Sequence, residues 1–118
     1  MLHSTGAGHK YGASVLTTAG NIYEAGVYRS ETRTLSLHAE HAALVHAAAH
    51  GEPEITAMAI LSDKDPDGQA FTNPCGLCKQ LLYETSLRTG RSISIVLANL
   101  GGNYRIVDLS EMIVYPWP

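Results

Sequence analysis

Cysteine is scarce in this 118-residue chain, and so are Trp, Phe and charge: two Cys, one Trp, one Phe, and 16% Asp, Glu, Lys and Arg together. The two cysteines, Cys75 and Cys78, lie three apart with none elsewhere, which excludes a disulfide framework. A reducing cytoplasm is then the simplest expected location. Eight Lys and Arg against eleven Asp and Glu leave a net charge of −3. No basic block occurs, so a polyanion such as duplex DNA or RNA has no electrostatic footprint to bind. No apolar run reaches the ~20 residues that span a bilayer, and no membrane partner is expected. The opening stretch MLHSTGAGHKYGASV lacks the charged-then-apolar order of a signal peptide. Repeats and low-complexity tracts are also missing. What the chain does have is apolar material, 45% of its residues, enough for the core of one compact domain. A surface with few charges fits one that is partly interface, so a homo-oligomer is expected.

Hydrophobic periodicity divides the chain into seven elements. Residues 11–18 and 22–29 read as two strands around a Gly-containing turn, a hairpin. Residues 38–50, HAEHAALVHAAAH, form an Ala-rich helix that Gly51 and Pro53 stop. Residues 55–63 are a continuous apolar strand of the kind found in sheet interiors. A second helix is predicted over 75–88, between Pro74 and Gly90, and two more strands over 92–99 and 104–109. The order β-β-α-β-α-β-β predicts a three-layer α/β domain with a mixed five-stranded sheet.

The segment NPCGLCKQLL, residues 73–82, admits three readings. The cysteines could be two core residues that happen to lie close. They could be a redox dithiol at a strand-to-helix junction. Or they could be metal ligands, since Cys-x-x-Cys at a helix start lets both sulfurs converge on one Zn²⁺, and helix N-terminal N–H groups favour thiolates. Two thiolates do not complete a zinc site, and histidine is the natural supplier of more. Of six histidines, His3 and His9 precede the first strand, while His41, His46 and His50 fall inside the first helix. His46 and His50, four apart, share a helix face, for which a solvated surface is the plain account. His38 stands at the helix start with Glu40 two residues on. On a helix side those two would point apart, about 200° around at ~100° per residue. Both approach one metal only if the helix aims its N-terminus at it. Three protein ligands with an open fourth position is a catalytic zinc pattern. A non-catalytic zinc-stabilised binding module is the competing class, but a closed structural site has no use for a carboxylate at Glu40.

His38-Ala39-Glu40 with Pro74-Cys75-Gly76-Leu77-Cys78 matches the signature His-x-Glu…Pro-Cys-x-x-Cys of zinc nucleobase deaminases. The chain resembles the cytidine deaminase family, in its small free-nucleoside branch. GASVLTTAGNIYEAG looks like that family's opening hairpin, and LSEMIVYPW like its C-terminal segment, so residues 11–117 are covered. The family's usual helix before the first strand is absent or reduced here. The resemblance implies a three-layer α/β/α cytidine-deaminase-like fold, Zn²⁺ as cofactor on His38, Cys75 and Cys78, and Glu40 as proton carrier in a hydrolytic deamination. It implies a small nucleoside-like partner and a dimer or tetramer. It also implies that the Ala39 N–H meets the ring carbonyl, that the Asn73 carbonyl accepts from the amine, and that Trp117 reaches substrate. One departure stands out. The family's Asn-x-Glu pair, which binds the ribose hydroxyls, aligns here with Val27 and Arg29, and neither can accept as a carboxylate does. The default substrate is cytidine or deoxycytidine. The alternative is a related aminoheterocycle: a nucleotide, a cytosine nucleoside antibiotic such as blasticidin S, or a modified base. Arg29 or Arg33 would then meet a phosphate or carboxylate, against surface solvation as the duller account.

Overall fold

The computed structural model describes residues 10–32, 36–63, 71, 74 and 76–112. Along the chain these form β1 (Tyr11–Thr17), β2 (Ile22–Gly26), α1 (Ala39–Ala49), β3 (Ile55–Ser62), α2 (Gly76–Thr89), β4 (Ser94–Ala98), β5 (Tyr104–Asp108) and a 3₁₀ turn at Leu109–Met112. The strands make one sheet in the order β2-β1-β3-β4-β5. Only β3 and β4 run parallel; every other neighbouring pair is antiparallel. The architecture is thus the expected mixed five-stranded α/β sheet, with the expected element order. β2 ends three residues short of the expectation. Its ladder with β1 closes at Gly12 opposite Gly26, and Tyr28 instead bridges Leu37, at the entrance to α1.

Alternation along the strands decides which face is buried. Register places Ala13 opposite Ile60 and Val15 opposite Met58, then Met58 opposite Ile95 and Ile60 opposite Leu97. All six side chains are buried. Onto this face α1 lays Ala39, Ala43 and Ala47, spaced four apart, and α2 lays Leu82. The small alanines let the helix axis come close to the sheet. Both described helices share this one core, so the described residues supply the sheet and one helical layer. On the opposite face Leu16, Ile22, Tyr104 and Ile106 are exposed.

The connections fix where the helices begin. α1 ends in a Schellman turn: Gly51 N–H donates to Ala48 O at 2.9 Å and Glu52 N–H to Ala47 O at 3.0 Å. Gly51 adopts φ +78°, the left-handed conformation that this cap requires and that glycine alone adopts without cost. The chain then turns directly into β3, so α1 runs back along the sheet with its N-terminus at the C-terminal end of β3. α2 joins the parallel pair β3 and β4, so it too must begin where β3 ends. Both helix N-termini therefore lie beyond the carboxyl end of β3, the edge at which open α/β sheets bind ligands.

Candidate metal centre

His38 is the N-cap of α1, in extended conformation (φ −67°, ψ 155°), and its side chain makes no capping bond to the helix. The Tyr28–Leu37 bridge carries the chain into that position: Tyr28 N–H donates to Leu37 O at 3.0 Å and Leu37 N–H to Tyr28 O at 2.8 Å. The imidazole is thereby directed across to α2, where His38 Nδ1 lies 3.5 Å from Cys78 Sγ. Cys78 is the third residue of α2 and is 1% exposed. Glu40, in the first turn of α1, is 6% exposed. A carboxylate at that position gains from the positive end of the helix dipole. The ligand atoms of His38, Glu40 and Cys78 all lie within 4.8 Å of one another.

The donor set can be tested against a zinc ion. With Zn–N near 2.0–2.1 Å and Zn–S near 2.3 Å, a tetrahedral centre separates nitrogen from sulfur by about 3.6 Å. The observed 3.5 Å meets that requirement; it also suits a thiol–imidazole hydrogen bond. One imidazole and thiolate sulfur are borderline-to-soft donors of the kind zinc takes. The residues present therefore fit the ion. The end-on arrangement explains how His38 and Glu40 meet despite their angular separation on a helical wheel: His38 sits at the helix end, not on its side. Cys75, Asn73 and Trp117 lie outside the described residues.

The other sequence candidates are placed as follows. Ala39 is fully buried at the first helical position, where backbone N–H groups have no partner within the helix. Val27 is 7% exposed and belongs to the hydrophobic core. By the antiparallel register of the Tyr28–Leu37 bridge, Val27 stands beside His38 and Arg29 beside Ser36. Arg29 is half-buried, with its Nε shielded from solvent.

Sequence reasoning gave His41 no role, yet its ring stacks on that of His38, with centroids 5.5 Å apart and planes 19° from parallel. Burial chiefly, and then the neighbouring His38, hold His41 below the usual histidine range, while Glu40 opposes them. His41 thus packs as a flat ring against the imidazole of His38. The available signal was the spacing of three from His38, which brings two side chains together at a helix start.

Comparison with known proteins agrees with this geometry. A cytidine deaminase of Halalkalibacterium halodurans is 27% identical over 103 residues, covering 86% of this chain and 72% of that protein. The crystal structure of cytidine deaminase from Burkholderia pseudomallei superposes with a TM-score of 0.79 at 23% identity, covering 92% of this chain and 82% of that one. Cytidine deaminase from Mycobacterium tuberculosis superposes with a TM-score of 0.71 at 20% identity, covering 93% and 80%. At such identities the superpositions establish the fold. The family model for the cytidine and deoxycytidylate deaminase zinc-binding region matches residues 2–91, which span both halves of the motif, and the chain belongs to that family.

Proposed function

We propose that this protein is a zinc-dependent aminohydrolase that converts a cytidine-type nucleoside, cytidine or deoxycytidine, to the uridine product and ammonia. The observation that carries the reading is the 3.5 Å approach of His38 Nδ1 to Cys78 Sγ beside the buried carboxylate of Glu40. His38, Cys75 and Cys78 would hold the ion, which when bound supplies Lewis acidity towards water. The chain's own residues do the rest. Glu40 accepts the proton of the attacking water and hands it to the ring nitrogen of the pyrimidine. The water oxygen bonds to the carbon bearing the amine. Glu40 then takes the remaining proton from the added hydroxyl and delivers it to that amine; the C–N bond breaks as the C–O double bond forms, and ammonia leaves. The Ala39 N–H, aimed outward from the helix start, binds the ring carbonyl oxygen. By analogy with the family, the Asn73 carbonyl accepts from the amine and Trp117 reaches the substrate.

The sugar side favours a second substrate class. Val27 is a core side chain and offers no hydroxyl-binding group, while Arg29 is half-buried instead of fully solvated. A related aminoheterocycle bearing an anionic or otherwise altered substituent would use Arg29 where a ribose hydroxyl would find no acceptor. One experiment addresses both readings. Zinc is assayed after exhaustive dialysis, and the same sample is offered cytidine, deoxycytidine, cytidine monophosphate and a cytosine nucleoside antibiotic, with turnover followed by ultraviolet absorbance. Zinc retained with cytidine turning over fastest establishes the first reading. An analogue turning over fastest establishes the second, and no tightly held zinc with no turnover refutes both.

The protein is proposed to act in the cytoplasm in pyrimidine salvage, on a small molecule and not on nucleic acid, in keeping with its net charge of −3. Among the described residues no helix is long and apolar enough to cross a membrane. A homo-dimer or homo-tetramer is proposed from the sparse charge and the exposed apolar side chains Leu16, Ile22, Tyr104 and Ile106. A sharp light-scattering mass at the monomer value of 12.7 kDa would refute it.

A further inference from the structure

At the other end of α1, about 12 and 18 Å from His38 at 1.5 Å per residue, His46 and His50 stand one helical turn apart and both are exposed. Each is oriented by a backbone carbonyl. His46 Nδ1 lies 2.9 Å from Glu24 O, and His50 Nδ1 lies 2.9 Å from His46 O. A carbonyl oxygen can only accept, so in both neutral rings Nδ1 carries the hydrogen and Nε2 carries the lone pair. That is the tautomer in which imidazole binds metal, with its other nitrogen tied to a carbonyl.

The spacing of the rings suits a shared ion. With a metal–nitrogen bond near 2.0–2.1 Å, two imidazoles on one tetrahedral centre have ring centroids about 5.2 Å apart. The observed separation is 5.0 Å, with planes 61° apart. The Tyr23 ring packs against both, at 5.1 Å from His46 and 4.9 Å from His50, and limits their rotation. The surroundings favour positive charge twice over. The site is at the negative end of the α1 dipole, and the Glu52 carboxylate is close enough to favour a positive charge placed at His50. Glu52 is itself engaged: it accepts from Thr17 Oγ1 at 2.7 Å, from Asn21 Nδ2 at 2.9 and 3.0 Å, and from the Tyr23 hydroxyl. It contributes field, not a ligand.

We infer that His46 and His50 form a second, exchangeable site for a borderline divalent transition cation of the zinc class, bound through the two Nε2 atoms and completed by water. It is separate from the His38 centre and does not depend on the function proposed for it. Zinc itself is the probe. Equilibrium dialysis of the full chain against micromolar buffered zinc should bind one more equivalent per chain in the native protein than in His46→Gln/His50→Gln. That difference stands whether or not the His38 centre holds its own ion. Each single substitution removes half of the protein donors and should weaken this equivalent by more than the ~10–100-fold that loss of an outer-sphere partner costs. A second measurement needs no variant. Zinc added to the native protein should shift the Nε2 nitrogen resonances of His46 and His50 together while both Nδ1 stay protonated. Equal stoichiometry in native and variant protein, unmoved Nε2 resonances, or binding only at millimolar zinc would each overturn the inference.

Discussion

Glu40→Gln separates proton transfer from everything else that Glu40 does. The two side chains have nearly the same shape, so the pocket that leaves Glu40 6% exposed accommodates the amide without a cavity. The helix-end interaction lost with the charge is worth about 0.3–1 kcal/mol, a small part of the ~5–15 kcal/mol that holds a domain of this size together. The proposed zinc ligands are the imidazole and sulfurs, not this carboxylate, so the ion should stay. On the proposed mechanism, what disappears is the group that picks up a proton in one step and releases it in the next, because an amide does neither near neutral pH. General acid–base contributions of this kind run to about 10²–10⁴-fold, or roughly 3–5 kcal/mol of barrier at 1.36 kcal/mol per decade. The assay is turnover of the best substrate from the panel, with zinc content and unfolding midpoint measured on the same preparations. The expected outcome is matched zinc, a midpoint within a few degrees, and kcat down by at least a hundredfold. A variant with full zinc and activity within threefold of the native enzyme would show that Glu40 is not the proton carrier.

Three further outcomes follow from the same structure. His41→Ala removes the ring stacked on His38 at 5.5 Å and should weaken zinc retention by about tenfold, the low end of outer-sphere effects, whereas His41→Phe should restore it; competition with a chromophoric chelator reads both, and equal retention in Ala and Phe variants would refute a positioning role. Gly51→Ala places a Cβ at φ +78°, where the conformation itself costs about 1–2 kcal/mol; the thermal midpoint should fall by several degrees, and an unchanged midpoint would count against the cap. The Tyr23 hydroxyl first, then Thr17 and Asn21, hold Glu52 below the usual carboxylate range; a depressed carboxylate favours the folded state above its unfolded value of 4.5 and loses that contribution as pH falls through the folded value. Urea unfolding of the native protein should therefore weaken more between neutral pH and pH 3 than that of Glu52→Gln, and parallel pH profiles would refute the network.

The element order was legible because each segment carries its own local signal. The Ala-rich run halted by Gly51 could only be a helix with a left-handed cap, and the apolar run from Ile55 has the length and β-branching of an interior strand. The end of β2 was not legible, since Tyr28 is as good a strand residue as Tyr23. The ladder with β1 closes at Gly12 opposite Gly26, and Tyr28 pairs with Leu37 instead, a partner that local sequence does not reveal. The same distinction governs the sites. His38 and Cys78 are 40 residues apart, yet the sequence links them because each lies at a helix start, and helix starts carry sequence marks. The Glu52 cluster has no such mark. Thr17, Asn21 and Tyr23 read as an ordinary hairpin turn, and only the reversal after α1 brings Glu52 beneath them.

This difference has a physical basis. A helix start announces itself through its own backbone, because its N–H groups lack partners and its caps are chosen accordingly. A side-chain network between separate elements is assembled by topology, and each member is satisfied by partners that its neighbours in sequence do not reveal. The two ends of α1 show both cases. At its N-terminus, the parallel crossover from β3 to β4 forces α2 to begin where α1 begins, so any ligands encoded at the two helix starts must meet. At its C-terminus, the Schellman turn at Gly51 sets the direction of Glu52, and with it the charge that His50 experiences. Straightening that turn should therefore loosen the hairpin and the histidine pair together while leaving His38 opposite Cys78, because the β3–α2–β4 crossover, not the cap, fixes that end.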